Sequence, residues 1–326
     1  MNNDHTAATS VPGSAMRYVM PSAYFGLGGF AKAVFPRLDA LLHNHYGYRP
    51  DPFAFAVFDF DGADATFTSN GTTFSVQPYL NALPRRPFLD VARAIRRNEV
   101  SANLEHLRSV VRFDYVHPVD GPGMNQMPQN ANLAYRLVWA SHVVPDLQRK
   151  LRQLNPNPRA LERLTRERIT VSERSVIWVV AGGASTTGPG GLIPLLAEIR
   201  RLKPRETNLF AVVFTPGAYH DKSAEHAKRG SAIFRATLEQ LIRIHDDGGF
   251  SQRYDTNGHS LVLTEEPFDQ IFLVDGSLGG GKSELKTEDL AELVARFLFK
   301  FAVGPLGERM LGRIADCNPP SGGHTT

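Results

Sequence analysis

The chain has 326 residues, with 36 Lys and Arg against 33 Asp and Glu, which gives a formal charge of +3. Hydrophobic residues make up 42% and charged residues 21%, an ordinary globular composition that excludes a wholly disordered chain, a coiled coil and a collagen-like repeat. So small a net charge gives no argument for a nucleic-acid partner. The single cysteine, Cys317, excludes an internal disulfide and a multi-cysteine metal site, and no metal site is predicted.

The two ends of the chain differ from its middle. Residues 1–16 are rich in Asn, Ser, Thr and Gly, so they predict a disordered arm and not a signal peptide. Residues 304–326 are expected to form a C-terminal tail, which leaves residues 17–303 as one folded domain. No stretch approaches the roughly 18 consecutive apolar residues of a membrane-spanning helix, and a cytoplasmic protein is expected.

Apolar runs alternate with helical patterns along the predicted domain. Strands are expected at residues 18–25, 52–58, 175–180, 208–214 and 270–274. Helices are expected at residues 30–45, 88–97, 130–154, 158–168, 192–202, 222–245 and 287–301, with a break or kink at Pro145. This alternation predicts an α/β fold, a mostly parallel sheet with helices on both faces. Ligands of such sheets bind at the carboxyl ends of the strands.

The first glycine cluster follows the first predicted strand and precedes a helix. It consists of Gly26, Leu27, Gly28 and Gly29. Glycines let the backbone turn tightly and approach an anion closely, and the following helix offers free N–H groups and the positive end of its dipole. A phosphate is the ligand that this arrangement favours, and a purely structural turn is the alternative.

Two acidic residues, Asp59 and Asp61, follow the second predicted strand. In a dinucleotide-binding fold, an acidic residue at this point hydrogen-bonds the ribose hydroxyls. Asp61 precedes Gly62, and Asp-Gly is common turn chemistry, so a structural turn is the alternative here too.

The richest loop spans residues 182–191, between a strand and a helix. Its candidate ligand-binding residues are Gly182, Gly183, Ala184, Ser185, Thr186, Thr187 and Gly188. Successive small residues expose N–H groups and hydroxyls in a concave nest. Because structural connections of this kind usually have only roughly 2–6 residues, this loop predicts phosphate binding.

A P-loop pattern, G-x-x-x-x-G-K-S, occurs at residues 276–283, behind a predicted strand. The next helix is expected only from residue 287, whereas a P-loop leads directly into its helix. Little chain follows in which a further strand could carry a magnesium-binding Asp. The context therefore argues against a P-loop.

Together, these loops resemble the nucleotide-binding half of the tubulin/FtsZ superfamily, and in particular the bacterial tubulin-like proteins, whose chains begin with a similar strand, GLGG turn and helix. The superfamily signature is G-G-G-T-G-S-G. The sequence matches it at Gly182-Gly183 and at residues 187–190 if two or three residues are inserted and Pro189 replaces the Ser. The resemblance implies a Rossmann-like GTPase-domain architecture for residues 17–303.

The resemblance also assigns roles to residues in other loops. Glu225 and Arg229 match a pair of which the Glu contacts the ribose and the Arg reaches the nucleotide. Gly121, Gly123 and Asn125 lie where the superfamily has its γ-phosphate-sensing loop. The implied ligand is GTP or GDP, with or without Mg²⁺, bound through the glycine-rich loops.

Two features of the superfamily have no match in this sequence. Its acidic catalytic loop, of the type G-x-x-N-x-D, is not found, so no catalytic residue is identified, and hydrolysis is expected to be weak or to depend on a partner. Room for the second domain of the superfamily is also missing. A protein partner or self-association is an open expectation.

Two other functions fit the same residues. One is a Rossmann-type enzyme that binds NAD(P) or ATP at Gly26–Gly29 and Asp59, independently of residues 182–190. The other is a degenerate relative that keeps the fold as a non-enzymatic interaction scaffold, because signature residues are inserted and substituted.

Overall fold

The structure, a computed structural model, describes residues 17–99, 105, 107, 127–219, 224–254, 260–264, 266–277 and 285–317. The arm expected at residues 1–16 lies outside these ranges, as do Gly121, Gly123, Asn125 and residues 278–283 of the P-loop-like string.

The described residues form strands and helices that alternate for most of the chain. The strands are β1 (Arg17–Val19), β2 (Ser22–Leu27), β3 (Phe53–Asp59), β4 (Thr66–Ser69), β5 (Thr72–Ser75), β6 (Leu80–Ala82), β7 (Ile169–Val171), β8 (Val176–Gly182), β9 (Asn208–Phe214), β10 (Phe250–Arg253), β11 (Ser260–Leu263) and β12 (Gln270–Val274). The helices are α1 (Gly29–Tyr46), α2 (Arg86–Arg96), α3 (Pro128–Val138), α4 (Val144–Leu151), α5 (Pro158–Arg166), α6 (Thr187–Leu202), α7 (Ala224–Asp246), α8 (Thr287–Val303) and α9 (Pro305–Cys317). Within the described ranges, none of these helices is both long and apolar enough to cross a membrane.

The central sheet has six strands in the order β6-β3-β2-β8-β9-β12, and every neighbouring pair is parallel. The prediction of an α/β fold with a mostly parallel sheet is therefore confirmed. The chain winds outward in one direction from β2 and in the other from β8. The crevice at the carboxyl ends of these two central strands is the point where such sheets bind ligands.

The strands are apolar because both faces of the sheet are covered. In β8, Ile177 and Val179 pack with α3, α4 and α6, while Trp178 and Val180 pack with α1 and α8 on the other face. All of these side chains are fully buried. This alternation explains why a strand without polar residues is stable at the centre of the sheet.

Two predicted helices differ from the observed ones. The helix expected at residues 192–202 begins at Thr187, because Pro189 lies in its first turn, where a missing N–H costs nothing. The helix expected at residues 130–154 is divided into α3 and α4 by a π-helical turn, Trp139–Val143. Pro145 is the second residue of α4, so the interruption precedes the proline.

Within the expected C-terminal tail, Pro305–Cys317 forms α9, with Leu311 buried among the residues that cover one sheet face. The hairpin β4–β5 was not predicted. Its turn is Asn70-Gly71, and both residues have positive φ, as a two-residue hairpin turn requires.

Candidate functional site

The first glycine turn joins β2 to α1 at the centre of the sheet. Gly26 lies against α1, since a Cβ at this position would be 2.2 Å from the Cβ of Ala31. Gly28 has φ +75°, a conformation that favours glycine, and its N–H donates to the carbonyl of Phe58 at 3.2 Å. Gly29, the first residue of α1, is exposed and has open space around its Cα. The turn therefore has a packed side and an open side.

The second glycine turn joins β8 to α6 and is tightly packed. A Cβ at Gly182 would lie 2.1 Å from the hydroxyl of Tyr219, and a Cβ at Gly183 would lie 2.6 Å from the ring of Phe234. At Gly188 the clash would be with the carbonyl oxygen of Gly182, at 2.1 Å. These three glycines are required by packing, whatever ligand the turn binds.

Between these glycines, residues 184–186 complete the turn. Ala184 and Thr186 are buried, and the hydroxyl of Ser185 donates to the carbonyl of Gly182 at 3.3 Å. The residues from Thr187 to Gly191 belong to the first turns of α6 instead of to one open loop.

The two glycine turns meet at the crevice between β2 and β8. A Cβ at Gly28 would lie 3.2 Å from the Cβ of Thr187. The N-cap residues of α1 and α6 are Gly28 and Thr186, and neither provides a side-chain cap. Two helix amino ends therefore lie side by side. At neither end does an N-cap side chain accept a hydrogen bond from the first-turn N–H groups. This arrangement favours a bound anion.

A buried polar network lies beside the junction of the two turns. The ammonium of Lys32 forms an ion pair with Asp59 at 2.8 Å, and both side chains are only 8% exposed. The other carboxylate oxygen of Asp59 accepts a hydrogen bond from the hydroxyl of Thr187 at 3.2 Å. Lys32 also donates to the carbonyl of Asp61. The network thus connects β3 to the first turns of α1 and α6.

Asp61 has a more exposed position. Its carboxylate lies 4.0 Å from the ammonium of Lys32 and is 45% exposed. It also accepts a hydrogen bond from the N–H of Ala63 at 3.1 Å, which is the turn chemistry that the sequence allows at this point.

An aromatic cluster covers one side of the second turn. The ring of Phe30 stacks on Phe214 with a centroid distance of 3.8 Å, and Tyr219 meets it edge-on at 5.1 Å. Phe30 is 6% exposed, and a Cβ at Gly182 would lie 3.2 Å from its ring. This side of the crevice is therefore filled by aromatic side chains.

The amino-terminal half of α7 packs on the second turn. A Cβ at Gly230 would lie 3.0 Å from the Cβ of Ala184, and Arg229 is the preceding residue of α7. Arg229 is exposed, and the side chain of Glu225 lies outside the described part of the protein.

Sequence analysis did not single out Lys32 or Phe30. Lys32 is a charged residue in the otherwise apolar first half of α1, and it is buried. A buried lysine requires a partner, so this position was a signal that could have been used. Phe30 gave no such signal, because an aromatic residue at a helix start is ordinary core composition.

Solved structures of tubulin-like proteins resemble the chain at low identity. CetZ2 from Haloferax volcanii, in a GTPγS-bound protofilament, is 15% identical, with 86% of this chain and 57% of that chain covered and a TM-score of 0.41. TubZ of Clostridium botulinum phage c-st, truncated at its C-terminal tail, is 11% identical, with 86% of this chain and 60% of that chain covered and a TM-score of 0.38. TubZ of Bacillus thuringiensis serovar israelensis, in a GTPγS-form protofilament, is 10% identical, with 90% of this chain and 58% of that chain covered and a TM-score of 0.42. The chain thus spans less than two thirds of the length of each.

No curated protein matches the chain significantly in sequence. The sequence profile of a family described as "Tubulin like" matches residues 131–317, which is more than half of the chain. The matched segment runs from α3 through the second glycine turn to α9, and the match confirms the resemblance inferred from the motifs. The chain therefore belongs to the tubulin-like family.

Proposed function

We propose that the protein binds a guanine nucleotide, GTP or GDP, with its phosphates at the junction of the two glycine turns. The observation that carries the proposal is the adjacency of the uncapped amino ends of α1 and α6 at the central crevice of the sheet. Two helix amino ends at one point, neither with an N-cap side chain, stabilise negative charge through their dipoles and first-turn N–H groups. The choice of guanine rests on membership in the tubulin-like family.

The open side of the first turn is the proposed contact surface. Gly29 is exposed and unobstructed, so its backbone can approach a phosphate closely. Lys32 lies one turn into α1, where its ion pair with Asp59 links the first turn of α1 to β3 beneath the junction. Arg229 on α7 and the hydroxyl of Ser185 complete the proposed set on the side of the second turn. Residues 17–303 form the nucleotide-binding domain in this proposal.

The described residues contain no group of three or more His, Cys, Asp or Glu that could hold a metal ion. The carboxylate of Asp59 is already engaged by Lys32 and Thr187. In this proposal, Mg²⁺ accompanies the phosphates without a protein metal centre of that kind, and hydrolysis is weak or depends on a partner, which includes a second copy of the chain.

A Gly29→Asp substitution tests the proposal. The aspartate would lie in open space at a helix amino end, where it stabilises the helix by about 0.3–1 kcal/mol, but its charge repels phosphate. We expect binding of labelled GTP to weaken at least about tenfold, while the free energy of unfolding in urea does not fall.

Gly312→Asp is the matched control, since Gly312 on α9 also has open space around it. This control should bind GTP like the wild type. ATP and NAD are measured in parallel. Equal GTP affinity in Gly29→Asp and the wild type, or a preference of the wild type for NAD, would refute the proposal.

The aromatic cluster favours a second candidate, the non-enzymatic scaffold. Phe30 and Tyr219 fill the side of the crevice next to Gly182, where the resemblance expects phosphate contacts. A scaffold predicts that the wild type binds no nucleotide and that Phe30→Ala does not bind one either. Wild-type binding of GTP that survives in Phe30→Ala supports the nucleotide site instead.

The Rossmann-type alternative has less support. It requires the carboxylate of Asp59 to accept hydrogen bonds from a ribose, whereas both of its oxygens have partners within the protein. It predicts that Asp59→Asn abolishes binding of NAD or ATP.

A further inference from the structure

A polar cavity lies at the amino ends of the sheet strands, whereas the glycine turns lie at their carboxyl ends. It is located beside Phe53, the first residue of β3, and has a volume of about 160 Å³. Its walls come from the segment before β3, from the turn Gln77–Tyr79 and from the end of α4. The side chains that matter for its chemistry are Arg49, Asp51, Phe55, Tyr79 and Lys150.

Arg49 is held in place by two contacts. Its guanidinium forms an ion pair with Asp39 at 3.1 Å and lies over the ring of Phe55 at 5.3 Å from the centroid. The Asp39 side chain is 14% exposed, whereas that of Arg49 is 35% exposed. Arg49 is thus anchored on its inner side while part of its guanidinium remains available to the cavity.

Lys150 is a half-buried cation on the wall of the same cavity. It makes no hydrogen bond or ion pair with any residue that the structure describes. Burial lowers its pKa, and the positive charges of Arg149 and Arg49 lower it further, against the opposing effect of Asp146. The cavity wall therefore carries two cationic groups, Arg49 and Lys150, and an anion between them would be attracted to both.

Two other groups complete the wall. The hydroxyl of Tyr79 is buried beside Asp39 and Arg49 and has no hydrogen-bond partner among the described residues. An unsatisfied buried hydroxyl is costly, which makes it a donor that a ligand could use. The carboxylate of Asp51 lies at the exposed rim. The pKa of Arg163 is raised mainly by its hydrogen bond to Glu167, and the negative charge of Asp51 adds a smaller effect in the same direction.

We propose that this cavity binds the phosphate group of a small anionic ligand, at a site separate from the glycine turns. A guanidinium fork and a point-like ammonium are the two side chains that recognise phosphate best. The buried hydroxyl of Tyr79 supplies a neutral donor on the inner wall. The size of the cavity restricts the bound part to the phosphate group and a few further atoms.

The test is equilibrium dialysis of the full chain against radiolabelled inorganic phosphate and pyrophosphate. It is done in the Gly29→Asp background, so that the glycine turns do not contribute. Lys150→Gln should weaken retention at least about tenfold, because a charged hydrogen-bond partner is lost. Lys150→Arg should retain phosphate within about threefold of the parent chain. The urea midpoint of Lys150→Gln should change little, because the variant loses both the attraction of Asp146 and the repulsion of Arg149 and Arg49.

Lys300→Gln is the matched control, because it removes the same charge from an exposed position on α8. It should bind phosphate like the parent chain. Each of three binding results overturns the proposal: no phosphate retained at millimolar concentration, equal retention in Lys150→Gln and the parent, or equal losses in Lys150→Gln and Lys300→Gln. A competition experiment provides a fourth. If citrate displaces the labelled phosphate at a lower concentration than unlabelled phosphate does, the cavity prefers carboxylates and the proposal is refuted.

Discussion

The ion pair between Lys32 and Asp59 makes a quantitative prediction about stability. The two charged atoms are 2.8 Å apart, and each side chain is 8% exposed, so the surrounding water screens the pair weakly. Removing one partner from a buried pair leaves an uncompensated charge and costs about 3–5 kcal/mol. Because Lys32 keeps its hydrogen bond to the carbonyl of Asp61, we expect about 3 kcal/mol for Asp59→Asn.

A double-mutant cycle isolates the pair. Lys32→Met and Asp59→Asn should each lower the free energy of unfolding, and the double variant should lose less than the sum of both, with an interaction energy of about 2–3 kcal/mol. Urea unfolding followed by circular dichroism measures all four proteins, and the denaturant dependence should stay constant.

The same cycle on an exposed pair is the control. Arg166 and Glu162 on α5 are paired with side chains that are 76% and 60% exposed, and their interaction energy should not exceed about 0.5 kcal/mol. An interaction energy below about 0.5 kcal/mol for Lys32 and Asp59 as well would refute the inference that this network is a buried element of the site.

Asp59→Asn also removes a negative charge near the proposed phosphates, so GTP binding at low temperature should not weaken.

Two further predictions concern packing and pH. Gly188→Ala should destabilise the protein by about 2–3 kcal/mol, since its Cβ would lie 2.1 Å from the carbonyl oxygen of Gly182. Gly312→Ala, in open space on a helix, should instead stabilise the protein by about 0.5–1 kcal/mol. Equal effects of the two variants in urea unfolding would contradict this reasoning. Partial burial raises the pKa of Glu308, but hydrogen bonds, first from Tyr18, outweigh this and leave the pKa below its ordinary value of 4.5. Glu308 therefore contributes stability above this pH that is lost as the pH falls through the lower folded-state pKa, and Glu308→Gln should show a flatter decline of stability from about pH 5 to 3.

Several strands of the central sheet could be predicted from sequence because their pattern is local. The strands at Asn208–Phe214 and Gln270–Val274 were predicted to the residue, since each is an apolar run that begins after one polar residue, although the second is an edge strand and is only partly buried. The hairpin around Asn70-Gly71 was missed, although this dipeptide is a strong hairpin signal, because its strands are short and mostly exposed. The π-helical turn before Pro145 depends on hydrogen-bond register and has no local signature.

The candidate site was less predictable, since it depends on contacts between distant segments. The partnership of Lys32 with Asp59 joins a helix to a neighbouring strand and follows from the sheet order, which the alternation of elements alone does not give. The closure of one side of the crevice by Phe30 depends on Phe214 and Tyr219, far along the chain. Residue type located the two glycine turns, and only the packing shows how each glycine is used.

A glycine in a motif has two physical explanations, and the space around its Cα separates them. At Gly182, Gly183 and Gly188 a Cβ would collide with protein atoms, so these glycines would be required even in a relative without a ligand. At Gly29 nothing occupies the space, and the residue lies at a helix amino end, where an alanine would cost less conformational entropy. The space around Gly29 gives no packing reason for a glycine, whereas the proposed close approach of a phosphate would require one. Among the glycines of the two turns, Gly29 is the one whose Cα has open space and needs no positive φ, so it adds a second argument for the proposed phosphate site to the adjacency of the two helix amino ends.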